Sequence, residues 1–300
     1  MSEHPRLREL KFTLHRIFKN PTAILGFSLL LVFIGVSVFA PYIAPPKYAD
    51  NPYIMPHKGF SPTPMPPDKN HWFGTTSGQY DIFYGVVWGT RTAFKIGLFV
   101  IGIAAFVGVA LGIIAGYYGG KIDELIMRLT DVVFAIPLLV LAMAIVVAFG
   151  RGLDKVMIAL AMVVWRNYVR VMRSGILTLR DQDFVQAAKI MGVSDLKIMF
   201  RHILPNAVYP VLVYASMEMG SMVVTAAFLS FVGLGAPKGY ADWGQMVALA
   251  RNYIVGPPDD PLRFWYTIAY PGGCIILFVL AWNLIGDALR DAFDPKQRRR

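Results

Sequence analysis

Long uninterrupted apolar segments constrain the fold of this chain more than any other feature of its sequence. Residues 96–118, for instance, contain no charged side chain, and a helix needs about 20 apolar residues to cross a bilayer. The apolar segments of soluble cores are shorter. The composition agrees, because only 16% of the 300 residues are charged, against roughly 25% in soluble domains. The sequence therefore predicts an all-α membrane protein.

Six segments are predicted as transmembrane helices. They cover residues 22–44, 96–118, 132–149, 156–172, 207–232 and 266–286. The fourth has the shortest apolar run, ten residues ahead of Arg166, so hydropathy alone leaves it between a span and an interfacial helix. Lysine and arginine crowd both ends of the chain, which predicts two cytoplasmic termini and an even number of spans. Six spans meet this condition, whereas five would put the basic N-terminus outside.

The predicted organisation follows from these spans. It consists of a cytoplasmic segment 1–21, a first transmembrane helix 22–44, an external proline-rich and interfacial segment 45–95, a five-helix core 96–290 with a cytoplasmic loop 180–206, and a basic cytoplasmic tail 291–300. The first apolar run is longer than that of a signal peptide, so we expect an uncleaved helix. Nine prolines between Pro41 and Pro67 exclude helix and central strand there. The proline-rich segment either serves only as a connection between two spans or contacts an external partner.

Aromatic residues cluster just ahead of the second predicted span. They are Trp72, Phe73, Tyr80, Phe83, Tyr84 and Trp88. Aromatic side chains are enriched where a membrane meets water. We therefore expect this cluster to lie at the interface, with no ligand needed to explain it.

Several classes of function are excluded by the sequence. The net charge of +10 sits in short segments between spans and at the termini, so it indicates membrane topology and not nucleic-acid binding. The only cysteine, Cys274, lies in an apolar run, which excludes a disulfide framework and a cysteine metal site. No P-loop, H-E-x-x-H or G-x-S-x-G sequence occurs. We expect no catalytic residue, no metal and no cofactor in this chain.

A pair of short helices is predicted between the fourth and fifth spans. Asp183 and Gln186 have the spacing of a capping box, which predicts a helix starting near Phe184. Gly192 can end that helix in the left-handed conformation. Ser194 is the expected N-cap of a second helix, which should stop before Pro205 because proline disfavours helical geometry in the residue before it.

Each short helix carries one apolar stripe at helical spacing. The positions are Phe184, Ala187, Ala188 and Met191 in the first helix, and Leu196, Met199, Phe200 and Ile203 in the second. Stripes of this size are expected to be buried. Two interpretations stay open, since the helices could lie on the membrane or fill a groove in a cytoplasmic partner. In the second case they would act as a lever, because the chain runs directly on into the fifth span.

The helix pair resembles the EAA loop of ABC importer permeases, which reads E-A-A, three residues, glycine and later H-x-L-P. The matching residues are Gln186, Ala187, Ala188, Gly192, His202, Leu204, Pro205 and Asn206. Further matches are FGT at 73–75, GGKIDELIMRLTDVVFAIP at 119–137, FLSFVGLG at 228–235 and NLIGDALRDAFDP at 283–295. From about residue 70 onward the chain is similar to the C-type permease subunit of dipeptide and oligopeptide importers. The chain departs from the family pattern at two places. Gln186 stands where the family usually has glutamate, and of the acidic residues that the family carries in its external segment only Asp81 is present.

The resemblance implies a multi-pass subunit of the prokaryotic cell (inner) membrane with both termini in the cytoplasm. It would pair with a homologous B-type permease and receive cargo from an extracytoplasmic substrate-binding protein. It would also dock on two cytoplasmic ABC ATPase subunits, which hold ATP and Mg²⁺, and would itself be no enzyme. The residues implied to couple to the ATPase are Asp183, Gln186, Ala187, Ala188, Gly192, Ser194, Asp195, Phe200, His202 and Pro205.

Short peptides are the cargo that the resemblance implies, with oligosaccharides, nickel complexes or glutathione as alternatives. An ion-coupled carrier or channel is the alternative from a different class, because Glu218 is a carboxylate inside a predicted span. Three interpretations of Glu218 stay open. It pairs with the partner permease, contacts a substrate amine in the translocation pathway, or is buried in neutral form. The pathway interpretation includes its neighbours Met217 and Ser221.

Overall fold

The computed structural model describes residues 20–57, 59 and 61–293, and it consists of helices and connecting segments. In chain order the helices are α1 (Pro21–Ile43), α2 (Ile82–Tyr118), α3 (Gly120–Ala135), α4 (Leu138–Phe149), α5 (Leu153–Leu179), α6 (Asp183–Ile190), α7 (Asp195–Lys197), α8 (Leu204–Ala207), α9 (Tyr209–Phe231), α10 (Trp243–Leu249) and α11 (Tyr266–Phe293). A π-helical turn covers Ile198–Ile203 and a 3₁₀ turn covers Arg251–Tyr253. Within the described residues, extended pairing is limited to three isolated bridges. The all-α prediction is confirmed, while predictions for residues 1–19 and 294–300 lie outside the described residues.

Four helices, α1, α2, α9 and α11, are long and apolar enough to cross a membrane, and α3 with α4 would make a fifth span if the bent pair counts as one. The helix α5 covers the predicted span 156–172 and extends beyond it at both ends. At 27 residues it is about 40 Å long, which exceeds a hydrocarbon core of about 30 Å. It carries charged side chains, however, so its composition does not identify it as a span. The count of six spans stays a prediction.

The helix α2 begins at Ile82, well before the predicted span 96–118. Asp81 caps it, because its carboxylate accepts a hydrogen bond from the Tyr84 backbone N–H at 2.9 Å. Residues 82–95 therefore belong to this helix, although the sequence analysis placed them in the external segment. Because Arg91 and Lys95 are charged, the hydropathy pattern placed the start of this helix too late in the sequence.

The predicted span 132–149 is broken and does not form one straight helix. The helix α3 ends at Ala135 and α4 starts after Pro137, with an angle of 88° between them. Ile136 is extended, as expected for a residue before proline. Arg166 of α5 closes the break by donating hydrogen bonds to the carbonyl oxygens of Val133 and, at 3.3 Å, Ile136. A break at membrane depth needs such partners, since no water is there to supply them.

The pair α2 and α5 packs more extensively than any other helix pair in the described part of the chain. Gly108, Gly112 and Gly116 repeat every fourth residue along the contact face of α2. A Cβ atom on Gly112 would lie 2.7 Å from Met172 Cβ and 2.8 Å from the Val169 carbonyl oxygen. The absence of side chains there lets the two backbones approach closely, as is common between membrane helices.

The first and last described helices, α1 and α11, also pack against each other. A Cβ atom on Gly26 would lie 2.7 Å from Leu284 Cβ, so α1 touches α11 closely. Further along, Phe33 meets Phe278 edge to face with 5.3 Å between the ring centroids. The two ends of the described part of the chain therefore lie side by side in the bundle.

We call the end of the bundle that carries residues 180–206 the coupling end and the opposite end the far end. At the far end the proline-rich segment packs onto its own chain. Trp88 Nε1 donates to the Ala44 carbonyl oxygen at 2.9 Å, and the Tyr84 hydroxyl donates to the Pro52 carbonyl oxygen at 2.6 Å. Trp72 is exposed, but Tyr84 and Trp88 are buried in the core. Both lie on the first turns of α2 and face their own chain, and the location of the cluster at a membrane interface stays a prediction.

Candidate functional site

The helix α6 ends in a glycine turn. Gly192 has a φ of +73°, its N–H donates to the Lys189 carbonyl oxygen at 2.9 Å, and the next N–H, of Val193, donates to the Ala188 carbonyl oxygen at 3.1 Å. This pair of bonds is a Schellman motif. A Cβ atom on Gly192 would meet nothing within 4 Å. Glycine is therefore favoured here by the left-handed backbone conformation and not by a lack of space. The predicted left-handed glycine is confirmed.

The predicted capping box is wrong. Gln182 occupies the N-cap, and Asp183 is already the first helical residue of α6. The Gln186 side chain reaches back to the Arg180 carbonyl oxygen, 3.3 Å from its Nε2, and not to the N-cap N–H. Ser194 does take the N-cap position of α7, but its hydroxyl makes no capping hydrogen bond.

The second helical segment does not stop before Pro205, contrary to the sequence prediction. The short helix α7 passes into the π-helical turn, in which the Leu204 N–H bonds to the Met199 carbonyl oxygen. Pro205 then lies in the first turn of α8, where its missing N–H has no intrahelical partner to lose. The path from α7 through α8 to α9 is therefore almost continuously helical. Only the bend at Val208 separates the short helices from α9.

The apolar stripes of the helix pair are only half buried within this chain. The buried residues are Val185, Ala188, Ile198, Met199 and Ile203. The exposed ones, which we call the coupling face, are Phe184, Ile190, Met191, Leu196 and Phe200. Ile190 and Leu196 have 87% and 65% of their surface exposed. The prediction that both stripes are buried is thus wrong for Phe184, Ala187, Met191, Leu196 and Phe200 in the isolated chain. An apolar patch of this kind marks an interaction surface.

The polar residues predicted to couple lie around this face. Asp183, Gln186, Ala187, Ser194, Asp195 and Pro205 are exposed, Ala188 is buried and His202 is half-buried. Asn206, next to Pro205, donates from Nδ2 to the His202 carbonyl oxygen at 2.7 Å. The structure therefore brings the predicted coupling residues together on one segment, whose role in coupling stays a prediction.

The helix pair is attached to α2 as well as to α9. The Tyr117 hydroxyl donates to Asp195 Oδ1 at 2.6 Å, and Lys189 Nζ lies 5.4 Å from the centre of the Tyr117 ring. Arg180, just before the pair, donates to the Gly116 carbonyl oxygen at 3.1 Å. Sequence reasoning linked the pair only to the fifth span. It missed α2 because no local pattern relates these distant residues.

The arginines of α5 find partners on α3. Arg173 makes two hydrogen bonds to Asp123, at 2.5 and 2.6 Å, and Arg170 bonds Asp131 at 2.6 Å. These are charge-assisted contacts between α3 and α5. They explain how α5 carries several arginines in a predicted membrane domain.

The three predicted pathway residues lie within about one turn of α9 in different surroundings, and their role in a pathway stays a prediction. Glu218 is half-buried, and the side chain of Tyr214 contacts its carboxylate. Met217 points elsewhere, because a Cβ atom on Gly286 of α11 would collide with its side chain. Ser221 is exposed. Met217 also lines a cavity of about 580 Å³ at the coupling end, together with Tyr214, so these two residues share a space that Glu218 and Ser221 do not line.

Two family models match the chain. Residues 108–299 match the family described as binding-protein-dependent transport system inner membrane component. Residues 10–66 match the N-terminal TM domain of oligopeptide transport permease C. The chain belongs to the binding-protein-dependent transport permease family. This permease is thus a membrane component of a transport system that uses a binding protein, as its resemblance to ABC permeases predicted.

Curated relatives match this permease over most of its length. A dipeptide transport system permease protein, DppC, of Alkalihalophilus pseudofirmus is 40% identical over 93% of this chain and 88% of its own. A probable D,D-dipeptide transport system permease protein, DdpC, of Escherichia coli is 37% identical over 92% of this chain and 88% of its own. A glutathione transport system permease protein, GsiD, of Pectobacterium atrosepticum is 37% identical over 94% and 89%.

A solved structure also shares the fold. A chain of the MetNI methionine ABC transporter, in an inward-facing conformation, superposes with a TM-score of 0.57 over 71% of this permease and 98% of that chain. At 15% identity the likeness shows the fold alone. The predicted ABC permease fold is confirmed.

Proposed function

We propose that this permease is one of two membrane-spanning subunits of an ATP-driven importer for short peptides. The observation that carries the proposal is the coupling face, an exposed apolar surface on two short helices that are bonded to α2 and continuous with α9. Burying each of its large side chains in a partner groove contributes roughly 1.5–3 kcal/mol. A helix laid into an apolar groove is a recurrent mode of recognition. The groove belongs to a cytoplasmic ABC ATPase in this proposal.

Short peptides are the proposed cargo. The relatives quoted above are named for dipeptides, D,D-dipeptides and glutathione, which are all short peptides or built like them. This agreement supports peptides over oligosaccharides and nickel complexes. Glutathione itself stays an alternative within the same architecture.

The partners follow from the two ends of the bundle. A homologous B-type permease completes the membrane domain, and an external substrate-binding protein delivers cargo to the far end. Two cytoplasmic ABC ATPase subunits take the coupling faces of the two permeases and hold ATP and Mg²⁺. Both termini lie in the cytoplasm of a prokaryotic cell, and this chain performs no catalysis.

Transport is driven by movement of the helix pair. ATP binding closes the two ATPase subunits and draws the docked coupling faces together. The movement passes into α2 through Tyr117 and Asp195, and into α9 through the helical connection at Pro205. These two helices pack against α5 and against each other, so moving both reshapes the space between permeases.

An ion-coupled carrier is the second candidate, and Glu218 is the observation in its favour. An ionisable group within an apolar helix is a functional candidate in membrane proteins. Uptake by vesicles that contain the permease pair but no ATPase, driven by a proton or sodium gradient, would establish this alternative. We expect no such uptake.

Cross-linking tests the coupling face directly. In a Cys274→Ala background, Leu196→Cys places one thiol on the coupling face, and Leu125→Cys places one on an equally exposed position of α3 outside it. After cross-linking in native membranes, we expect Leu196→Cys to capture a protein with a P-loop, identified by mass spectrometry. Leu125→Cys should not.

If neither variant captures a P-loop protein while both insert normally, the coupling face lies on lipid or on another surface. The proposed docking would then be wrong. Capture by Leu125→Cys alone would place the ATPase on α3 and would equally contradict the proposal.

A further inference from the structure

A cavity of about 700 Å³ opens at the far end of the bundle. Its walls are the turn that follows α9, the two residues just before α5 and the helix α10. Ser77 of the external segment closes one side by donating a hydrogen bond to the Leu249 carbonyl oxygen at 2.8 Å. The length of α5 separates it from the coupling end by about 40 Å. Its volume is within the range of small-molecule sites.

The cavity is lined by positive charge without a compensating carboxylate. Its charged side chains are those of Arg151, Lys238 and Arg251, and all three are exposed. None of them forms an ion pair in the part of the chain that the structure describes, and no Asp or Glu lines the cavity. The acid at the start of α5, Asp154, is already paired with Lys155 at 2.8 Å. A negatively charged ligand would therefore meet no repulsion at the walls.

A polar side chain at the back of the cavity has no partner. Gln245 is only 5% exposed and lines the cavity, and its side-chain amide makes no hydrogen bond within the described residues. The amide is not one of the fully buried polar groups that lack a partner, so it is open to a ligand or water in the cavity. Behind it, Asp242 accepts the Gln245 backbone N–H at 2.9 Å. Burial raises the pKa of Asp242.

Arg251 is positioned for a ligand. It donates one hydrogen bond to the Phe231 carbonyl oxygen at 2.7 Å, and its guanidinium lies 4.7 Å from the centre of the Phe231 ring. The remaining N–H groups of the guanidinium have no partner among the described residues. A guanidinium held in this way loses little freedom when it binds a planar anion such as a carboxylate.

We propose that this cavity binds the free carboxylate of the peptide cargo as it enters the permease. The inference rests on the peptide import proposed above. Carboxylates take charge-assisted hydrogen bonds from guanidinium, ammonium and amide groups, and all three kinds of donor are present here. A small ligand can reach Gln245 at the back of the cavity, whereas an acidic residue on a binding protein would meet only the exposed cations. The ammonium end of the peptide finds no acid in this cavity and stays outside it.

Uptake by the reconstituted transporter tests the carboxylate preference. The complete assembly is placed in vesicles with its binding protein, and uptake of a radiolabelled dipeptide is compared with that of its C-terminal amide. We expect Lys238→Gln and Arg251→Gln each to lower the ratio of acid to amide uptake about tenfold, the effect of losing one charged hydrogen bond. Arg263→Gln removes an exposed cation from the same end outside the cavity and should leave the ratio unchanged.

The outcomes separate the possible sources of the carboxylate. Unchanged ratios in Lys238→Gln and Arg251→Gln overturn the proposal while peptide import stands. An equal loss for both substrates, with weaker binding of the cargo-free binding protein to the vesicles, shows that the cations contact that protein and also overturns it. Absence of ATP-dependent uptake in the wild-type assembly contradicts the peptide-import proposal instead.

Thiol protection tests the site without transport. Asn252→Cys in the Cys274→Ala background puts the only thiol at the cavity wall, where a methanethiosulfonate reagent can label it. The dipeptide should slow labelling several-fold, and its amide should not. Adding Lys238→Gln should abolish the protection. Equal labelling rates with and without dipeptide would refute the carboxylate site.

Discussion

Tyr117 touches both short helices of the coupling segment with one side chain. Its hydroxyl bonds Asp195 at the start of α7, and its ring lies beneath Lys189 near the end of α6. Tyr117 lies in the last turn of α2, so both short helices are in contact with the end of a long helix. Tyr117 thus contacts the residues on both sides of the glycine turn at Gly192.

Removing the Tyr117 hydroxyl should therefore loosen coupling. We expect Tyr117→Phe to insert normally and to keep its contact with Lys189, but to transport several-fold fewer peptides per ATP hydrolysed. Hydrogen bonds to charged groups contribute roughly 1.5–3 kcal/mol, and the partial exposure of this one lowers the figure. Parallel assays of uptake and ATP hydrolysis in vesicles measure the ratio.

The neighbouring residue supplies the control for this experiment. Tyr118 is exposed, and its hydroxyl makes no hydrogen bond among the described residues. Tyr118→Phe should leave the ratio unchanged. Equal ratios in the two variants would show that the Asp195 contact does not transmit motion.

Residue-level contacts were predictable from the sequence only where they are local. The left-handed turn at Gly192 has a signal in its own segment, because glycine favours that conformation before an N-cap serine. The contact between Tyr117 and Asp195 joins residues 78 positions apart, and no pattern indicates it. The same holds for Arg166, whose carbonyl partners lie about one helix earlier in the chain.

Among the elements, the α2–α5 pair depends on the glycine ridge of α2. A side chain on Gly112 would press on the Val169 carbonyl oxygen, which is backbone and cannot rotate away. We expect Gly112→Val to lower the melting temperature of the purified permease strongly, since overpacking costs about 1–3 kcal/mol or more. Gly102→Val on the same helix meets nothing within 4 Å and should change it little. Similar melting temperatures for the two variants would mean that the helices separate at little cost.

The helices were predictable from hydropathy, but their ends and breaks were not. Hydropathy missed the first turns of α2 because Arg91 interrupts the apolar run. In the structure its Nε donates to the Ser37 carbonyl oxygen at 2.6 Å and its guanidinium lies over Trp88, so the charge packs between helices. Pro137 was visible as a break signal, whereas the 88° angle depends on Arg166 of another helix.

For the whole molecule, the number of spans decides on which side each loop lies. The sequence favours six on the strength of its basic termini, and α5 is the helix on which that count depends. If α5 crosses the membrane, residues 151 and 181 lie on opposite sides. In intact cells, we expect an impermeant thiol reagent to label Arg151→Cys in the Cys274→Ala background and to label Asp181→Cys only after permeabilisation. Labelling of both from outside would give five spans and would move each loop from residue 181 onward to the side opposite the one assigned.

The contact between α1 and α11 has a consequence for biosynthesis. Gly26 and Phe33 find their packing partners, Leu284 and Phe278, at the other end of the polypeptide. The surface of α1 that carries these residues can therefore be covered only after α11 has been translated and inserted. Contacts between residues so far apart in sequence form late, and chains that stop before α11 leave this surface of α1 without its partner.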